Sequence, residues 1–242
     1  MPGYIWHIAH RCHKKEYLLK FAKDRRNWLR WLYVAKKRYG LCILNYALTS
    51  NHIHLLVLDQ GKSEAISKSM HLVAGRSGQE YNQRKERRGA FWEDRYHATA
   101  VEGDSHFVQC LVYIDLSMVR AGVVNHPREW PYCGYHEILG EPLKFGLINE
   151  AALMELLKMK SLSELRASYS AWIESRLEKG SIEREAVWTE NVAVGSEAFV
   201  RRAAKNLGIR ATGKEIVNEL DREHGSETWM LREDKGFYFK RF

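Results

Sequence analysis

Two apolar runs with a three-residue break between them, Leu41 to Leu48 and His52 to Leu58, constrain this chain more than any other stretch. Joined by Thr49-Ser50-Asn51, they read as a β-hairpin. Side chains alternate along a strand, so His52 and His54 share one face with Leu56 and Leu58, while Ile53, Leu55 and Val57 take the other. Both faces are apolar beyond the histidines, which describes a central strand covered on two sides. Two imidazoles side by side at the entrance of such a strand can bind one metal ion, provided a third group arrives from elsewhere. The H-x-H pattern alone also suits a buried strand that merely holds two histidines.

The location of the charge adds a partner. The 242 residues carry a formal net charge of +8 with a pI near 9.3. Residues 1–140 hold 21 Lys and Arg against 13 Asp and Glu, whereas residues 141–242 hold 17 of each. The whole excess therefore lies in the first part, which also holds every histidine except His224. A one-sided basic excess is the electrostatic footprint of a polyanion, most often nucleic acid. Eight tryptophans and twelve tyrosines supply stacking surfaces for its bases. The four scattered cysteines, Cys12, Cys42, Cys110 and Cys133, form no C-x-x-C pair and suit reduced thiols in a cytosol. No apolar run approaches the roughly 20 residues of a membrane span, and the N-terminus lacks a charged-then-apolar leader pattern, so the expectation is a cytoplasmic protein without a membrane partner.

Taken in order, residues 4–10 alternate as a first strand, and residues 17–21 offer a short second run. Asp24 is read as the cap of a helix over 24–39, with Gly40 as its stop. A second helix is expected over 64–83, its middle weakened by Gly75 and Gly78. The basic segment Arg84, Lys85, Arg87 and Arg88 precedes Phe91-Trp92. Basic groups beside exposed aromatics suit a single strand, whose phosphates they neutralise and whose bases they stack. With Arg95 and Arg120 they form the candidate DNA-contact set, Trp92 being its stacking member. Residues 95–101 are another β-type run.

A helix over 106–121, capped by Asp104 or Ser105 and stopped by Gly122, carries a wide apolar stripe from Phe107 to Val119. Tyr113 lies off that stripe, on a face shared with His106, Gln109, Ser117 and Arg120. A tyrosine in such company can be a nucleophile or a surface tyrosine with a wet hydroxyl.

The ordered series NHIHLLV, FWEDRY, YIDLSMVRAGVV and WPYCGY resembles the single-tyrosine HUH transposases (IS200-like), and within them the REP-associated tyrosine transposases. The resemblance covers roughly residues 4–140. It implies an α+β, HUH/ferredoxin-like domain over 1–140: an antiparallel-rich central sheet, flanked by helices, that presents two histidines against a tyrosine. It implies His52 and His54 as metal ligands and Tyr113 as the nucleophile that attacks single-stranded DNA. Family members often place Asn or Gln one turn beyond the tyrosine, and here that position is Ser117, the candidate third ligand beside Gln109 and His106. The family wording of Asn-Pro before Val-Arg-Ala-Gly is replaced by Ser117-Met118, and the frequent Met-Pro before Asn51 by Leu48-Thr49-Ser50.

Residues 141–242 read as a mostly helical extension, with helices over 147–157, 163–177 and 195–207. A helix-turn-helix across 196–220, with Arg201, Arg202 and Lys205 on phosphates, stands beside a plain packing helix. The end, GFYFKRF, reads as a docked or disordered tail. The combined expectation is a Mg²⁺- or Mn²⁺-dependent transesterase, monomeric or homodimeric, that cleaves and rejoins single-stranded or hairpin DNA through Tyr113. The alternatives are a domesticated hairpin-binding protein with lost or reduced catalysis and a metal-dependent RNA phosphodiesterase that does not need the tyrosine.

Overall fold

The computed structural model describes residues 1–62, 64–141, 144–180, 182–220 and 227–234. In chain order its strands are β1 (Ile5–Arg11), β2 (Cys42–Leu48), β3 (His52–Leu58), β4 (His97–Val101), β5 (Asn191–Gly195), β6 (Lys214–Leu220) and β7 (Glu227–Glu233). The helices are α1 (Ala22–Tyr39), α2 (Ala65–Arg84), α3 (Ser105–Asp115), α4 (Ser117–Arg120), α5 (Tyr135–Ile138), α6 (Glu150–Leu156), α7 (Leu162–Glu178), α8 (Val187–Glu190) and α9 (Glu197–Leu207). All the strands join one sheet in the order β2-β3-β1-β4-β5-β7-β6, antiparallel throughout except between β4 and β5. This is the α+β, antiparallel-rich architecture that the alternating runs lead one to expect.

The hairpin's inner strand lies inside the sheet, with β1 beside it. The register sets Ala9 opposite His54 and Arg11 opposite His52, while on the far side of β1, His7 faces Thr99 and Ala9 faces His97. Residues directly opposite share a face, so His7, His52, His54, His97 and Thr99 all lie on one side of the sheet.

β2 is an edge strand, yet each of its residues is buried. The chain protects it by laying two later segments along it. Cys133 bridges Ala47, Gly134 N–H donates to Tyr46 O at 2.8 Å, and Asn149 N–H donates to Ile43 O at 2.8 Å. This accounts for much of the WPYCGY motif: an unpaired edge is a template for aggregation, and here its backbone groups are occupied. Only glycine fits at 134, where a Cβ would stand 2.0 Å from Asn45 Oδ1.

The helices follow the expected spans with local differences. α1 starts at Ala22, which places Asp24 in the first turn instead of at the cap, and its carboxylate pairs with Arg84. Residues 17–21 form turn and bend, not a strand. α2 runs unbroken despite its glycines, and Gly78 makes room for Phe91, whose Cβ would sit 3.1 Å from an added methyl. Phe91 is consequently buried and Trp92 half-buried, so the expected exposed aromatic pair is instead a packing feature. The helix expected over 106–121 divides at Leu116 into α3 and α4.

Residues 141–242 hold the expected helices and add three strands. Ser196 caps α9, its Oγ accepting the Phe199 N–H, but a 3₁₀ turn and β6 follow where a second helix of a helix-turn-helix would lie. α9 buries Phe199, Val200 and Ala203 and is a packing helix. Residues 236–242, the GFYFKRF tail, fall outside the described residues. The added strands enter the sheet through β4, with Ala100 opposite Ala193 and Val101 opposite Val194.

A buried polar cluster ties α3 to both ends of the chain. Asn45 Nδ2 of β2 donates to Leu111 O and to Tyr169 Oη of α7, each at 3.2 Å, and Tyr169 Oη donates to the Asp115 carboxylate. Leu111 and Asp115 lie two residues before and after Tyr113. Burial lifts the Asp115 pKa to about 7, against the opposing hydrogen bond from Tyr169. An unfolded Asp releases its proton near 3.8, so between these values the folded state binds more protons and stability falls as pH rises. Asp115→Asn removes this titration: melting temperatures taken from pH 4 to pH 8 should decline for the wild type relative to the variant, most steeply below pH 7. Parallel profiles would mean that the carboxyl is already ionised throughout.

Candidate functional site

The histidines on the sheet face are joined by hydrogen bonds that fix which nitrogen carries each proton. His7 Nδ1 lies 2.8 Å from the Trp188 carbonyl oxygen, which can only accept, so Nδ1 carries the hydrogen. Burial pulls the His7 pKa down to about 4, leaving the ring neutral with Nε2 as an acceptor. That Nε2 sits 2.9 Å from His54 Nδ1, which must therefore donate. Burial, with His52 and His7 nearby, holds His54 well below the usual histidine range, and its Nε2 keeps a free lone pair. The relay thus runs from a backbone carbonyl of α8, through β1, to the second histidine of β3.

His52 reaches the same state from the hairpin turn. Its Nδ1 is 2.7 Å from Asn51 Oδ1 and 2.9 Å from Thr49 Oγ1. Asn51 Nδ2 donates to Lys15 O at 3.2 Å, which orients the amide so that its oxygen meets the ring. His52 Nδ1 donates to it, and burial lowers the His52 pKa to about 4. Both rings thus keep an unprotonated Nε2, the form in which imidazole binds a metal. Orientation of the ligating nitrogen by a partner on the other one is how metal-binding histidines are commonly held.

Tyr113 of α3 meets these rings edge-on, 5.7 Å from His54 and 6.2 Å from His7 between centroids. The Arg120 guanidinium lies 3.8 Å above its ring. Burial raises the tyrosine pKa, and the nearby Arg120 charge works against that rise. His52, His54, Arg95, Tyr113, Ser117 and Arg120 line one open cavity of about 580 Å³. Ser117 Oγ is buried there without a hydrogen-bond partner among the described residues. Arg11, Lys15 and Arg184 add positive charge to its walls.

The other expected contact residues lie apart from this cavity. Arg84 pairs with Asp24 and lines a separate groove between α1 and α2. Lys85 Nζ lies 5.4 Å from the centre of the Phe21 ring, and Arg88 is exposed. Arg87 contacts Glu16 at 3.2 Å and donates to Ala90 O at 2.8 Å. Trp92 approaches only through His10, on which it stacks at 4.1 Å, and its indole N–H is held by Ala74 O. Gln109 lines a second cavity, and His106 Nε2 lies 3.5 Å from Thr228 Oγ1, which removes both from the histidines' cavity.

Sequence reasoning placed His7 on the first strand without a role and did not single out Trp188, His97 or Arg184. The parity of His7 hinted at a shared face, but only the β1–β3 register brings it to His54. Trp188 acts through its carbonyl, which no residue type announces.

Among the described residues no group of three or more His, Cys, Asp or Glu gathers as a metal site. The cavity-lining donors that could hold a divalent ion are His52 Nε2, His54 Nε2 and Ser117 Oγ, with phosphate or water oxygens needed to complete its shell.

Fold and site together define an α+β protein with a paired-histidine, single-tyrosine centre. Residues 3–116 match the model of the IS200-like transposases. A solved REP-associated tyrosine transposase, described as bound to a REP hairpin, is 16% identical over 57% of this chain and 81% of its own, with a TM-score of 0.49. No match is found among curated proteins. Among the described residues no helix is long and apolar enough to cross a membrane.

The relay has a direct spectroscopic consequence. In ¹⁵N-histidine NMR spectra of the wild type, His54 should appear as the Nδ1–H tautomer, and His7→Phe, which removes the acceptor, should shift it toward Nε2–H. An Nε2–H signal for His54 in the wild type would contradict the assignment.

Proposed function

We propose that this protein cleaves and rejoins single-stranded, hairpin-forming DNA through a covalent bond to Tyr113. The observation that carries the reading is the placement of the tyrosine beside two neutral histidines with free Nε2 lone pairs, under a guanidinium, in a cavity with basic walls. The family of residues 3–116 supports the same class of reaction.

In the proposed reaction Tyr113 Oη attacks the scissile phosphorus. Its hydroxyl proton leaves, the P–O3′ bond breaks, and the departing oxygen takes a proton to become a free 3′-hydroxyl. The strand stays attached as a 5′-phosphotyrosine, and the reverse attack by a 3′-hydroxyl rejoins DNA. A tyrosine raised by burial is a poor nucleophile at neutral pH, so its phenolate needs stabilisation. Arg120 supplies positive charge to the ring as the proton leaves, and Arg11, Lys15 and Arg95 hold the flanking phosphates. His52, His54 and Ser117 would hold a divalent ion, Mg²⁺ or Mn²⁺. When bound, such an ion supplies polarisation of the phosphate and an offset to its charge.

A second reading, a hairpin-binding protein without catalysis, is favoured by one feature: among the described residues only two imidazoles and a serine hydroxyl are offered as ligands.

One gel separates them. Labelled single-stranded DNA from the sequences flanking the coding region, incubated with Mg²⁺ or Mn²⁺, should remain on wild-type protein through denaturing electrophoresis. The label should be lost from Tyr113→Phe and His52→Ala, and Arg120→Ala should slow adduct formation about 100-fold. Tight binding without an adduct in either metal would establish the non-catalytic reading.

A further inference from the structure

Tyr113 also lines a second cavity, of about 430 Å³, and Arg120 and Arg184 are common to both. It opens between α3, α7 and the segment before α8, so the second half of the chain supplies much of its wall. Val112, Leu116, Trp172 and Met230 give it an apolar surface. Trp172 is half-buried and anchored edge-on against Tyr169, with ring centroids 6.3 Å apart. The size lies within the range of small-ligand sites, about 300–1,000 Å³.

We propose that this cavity receives one base of the DNA strand, that of the nucleotide next to the scissile phosphate, turned out of the strand and stacked on Trp172. The proposal rests on the tyrosine reading above. Tyr113 borders both cavities, so a nucleotide next to a phosphate at its hydroxyl is within reach of either. The apolar lining, more than the charge, sorts the two. The histidine cavity has five Lys and Arg against three Asp and Glu, and suits the phosphate path. In the second, four Lys and Arg meet three Glu, with Arg176 bound to Glu185 at 2.5 Å. Near-balanced charge around an apolar wall suits a neutral heterocycle, not a run of phosphates. Gln109, Glu219 and Thr228 offer polar atoms to its edge, while the exposed Lys179 is available to the following phosphate.

The test uses single-stranded oligodeoxynucleotides from the DNA flanking the coding region, each carrying one 5-iododeoxyuridine, with the position moved along the strand. Irradiated with full-length protein, one position should cross-link to the peptide that contains Trp172, and it should adjoin the linkage cut in the Tyr113 adduct assay. Trp172→Ala should abolish that cross-link and weaken binding about tenfold. Lys179→Glu, a surface change that spares the packing, should also weaken binding, which keeps the test open if the tryptophan variant misfolds. Adduct formation with cross-links from the adjoining position falling elsewhere would overturn the cavity assignment and leave the tyrosine reading intact. A Trp172 cross-link without any adduct would retain a base-binding cavity and overturn the covalent chemistry. Neither signal overturns both.

Discussion

The structure depends on a hydrogen bond made by a group with no side chain. The Trp188 carbonyl accepts from His7 at 2.8 Å in an interior where an unpaired ring N–H would cost on the order of 1–3 kcal/mol. Thr99 Oγ1 lies 3.1 Å from it and donates its one proton to the next strand's first carbonyl, at Asn191, 2.6 Å away, which also accepts from His97. His7, Thr99 and His97 are thereby all held by main-chain oxygens of one short segment. The protonation pattern of His54 is then a property of the fold, fixed before any ligand arrives.

The tyrosine is held by comparable means from a different direction. Asn45 and Tyr169 grip α3 on both sides of it, and Arg120 of the following turn closes over its ring. Histidine and tyrosine positions are therefore both set by residues distant in sequence: the first by α8, the second by α7. A site built this way loses little orientation to thermal motion, because His7, His54 and the tyrosine helix are braced by partners that are themselves buried.

Much of this was legible in the sequence, and what was not has identifiable causes. The hairpin, α1, α2 and the tyrosine helix are long and periodic, so alternation and helical spacing define them. The face shared by Tyr113, Ser117 and Arg120 follows from spacing alone. The strands of the second half escaped because β5 is only five residues long and lies between two helices, while β6 and β7 are broken by charged residues along their length. Trp92 looked exposed because a basic segment precedes it, yet His10 covers one of its faces. Which basic residues reach the cavity depended on tertiary pairing. Arg84 is drawn to Asp24, a partner sixty residues away, while Arg184 arrives from a segment without regional charge excess.

Because the relay begins at a main-chain oxygen, its inheritance obeys unusual rules. Exchange of one side chain for another at position 188 leaves that oxygen in place, provided the local packing survives. An insertion or deletion between α7 and β5 would carry it away from His7 even if His52, His54 and Tyr113 were all retained. Drift among related chains should therefore be tolerant of residue identity at the start of the relay and intolerant of loop length. A reader who searched only for preserved histidines and tyrosine would pass over a chain in which the centre had already come apart.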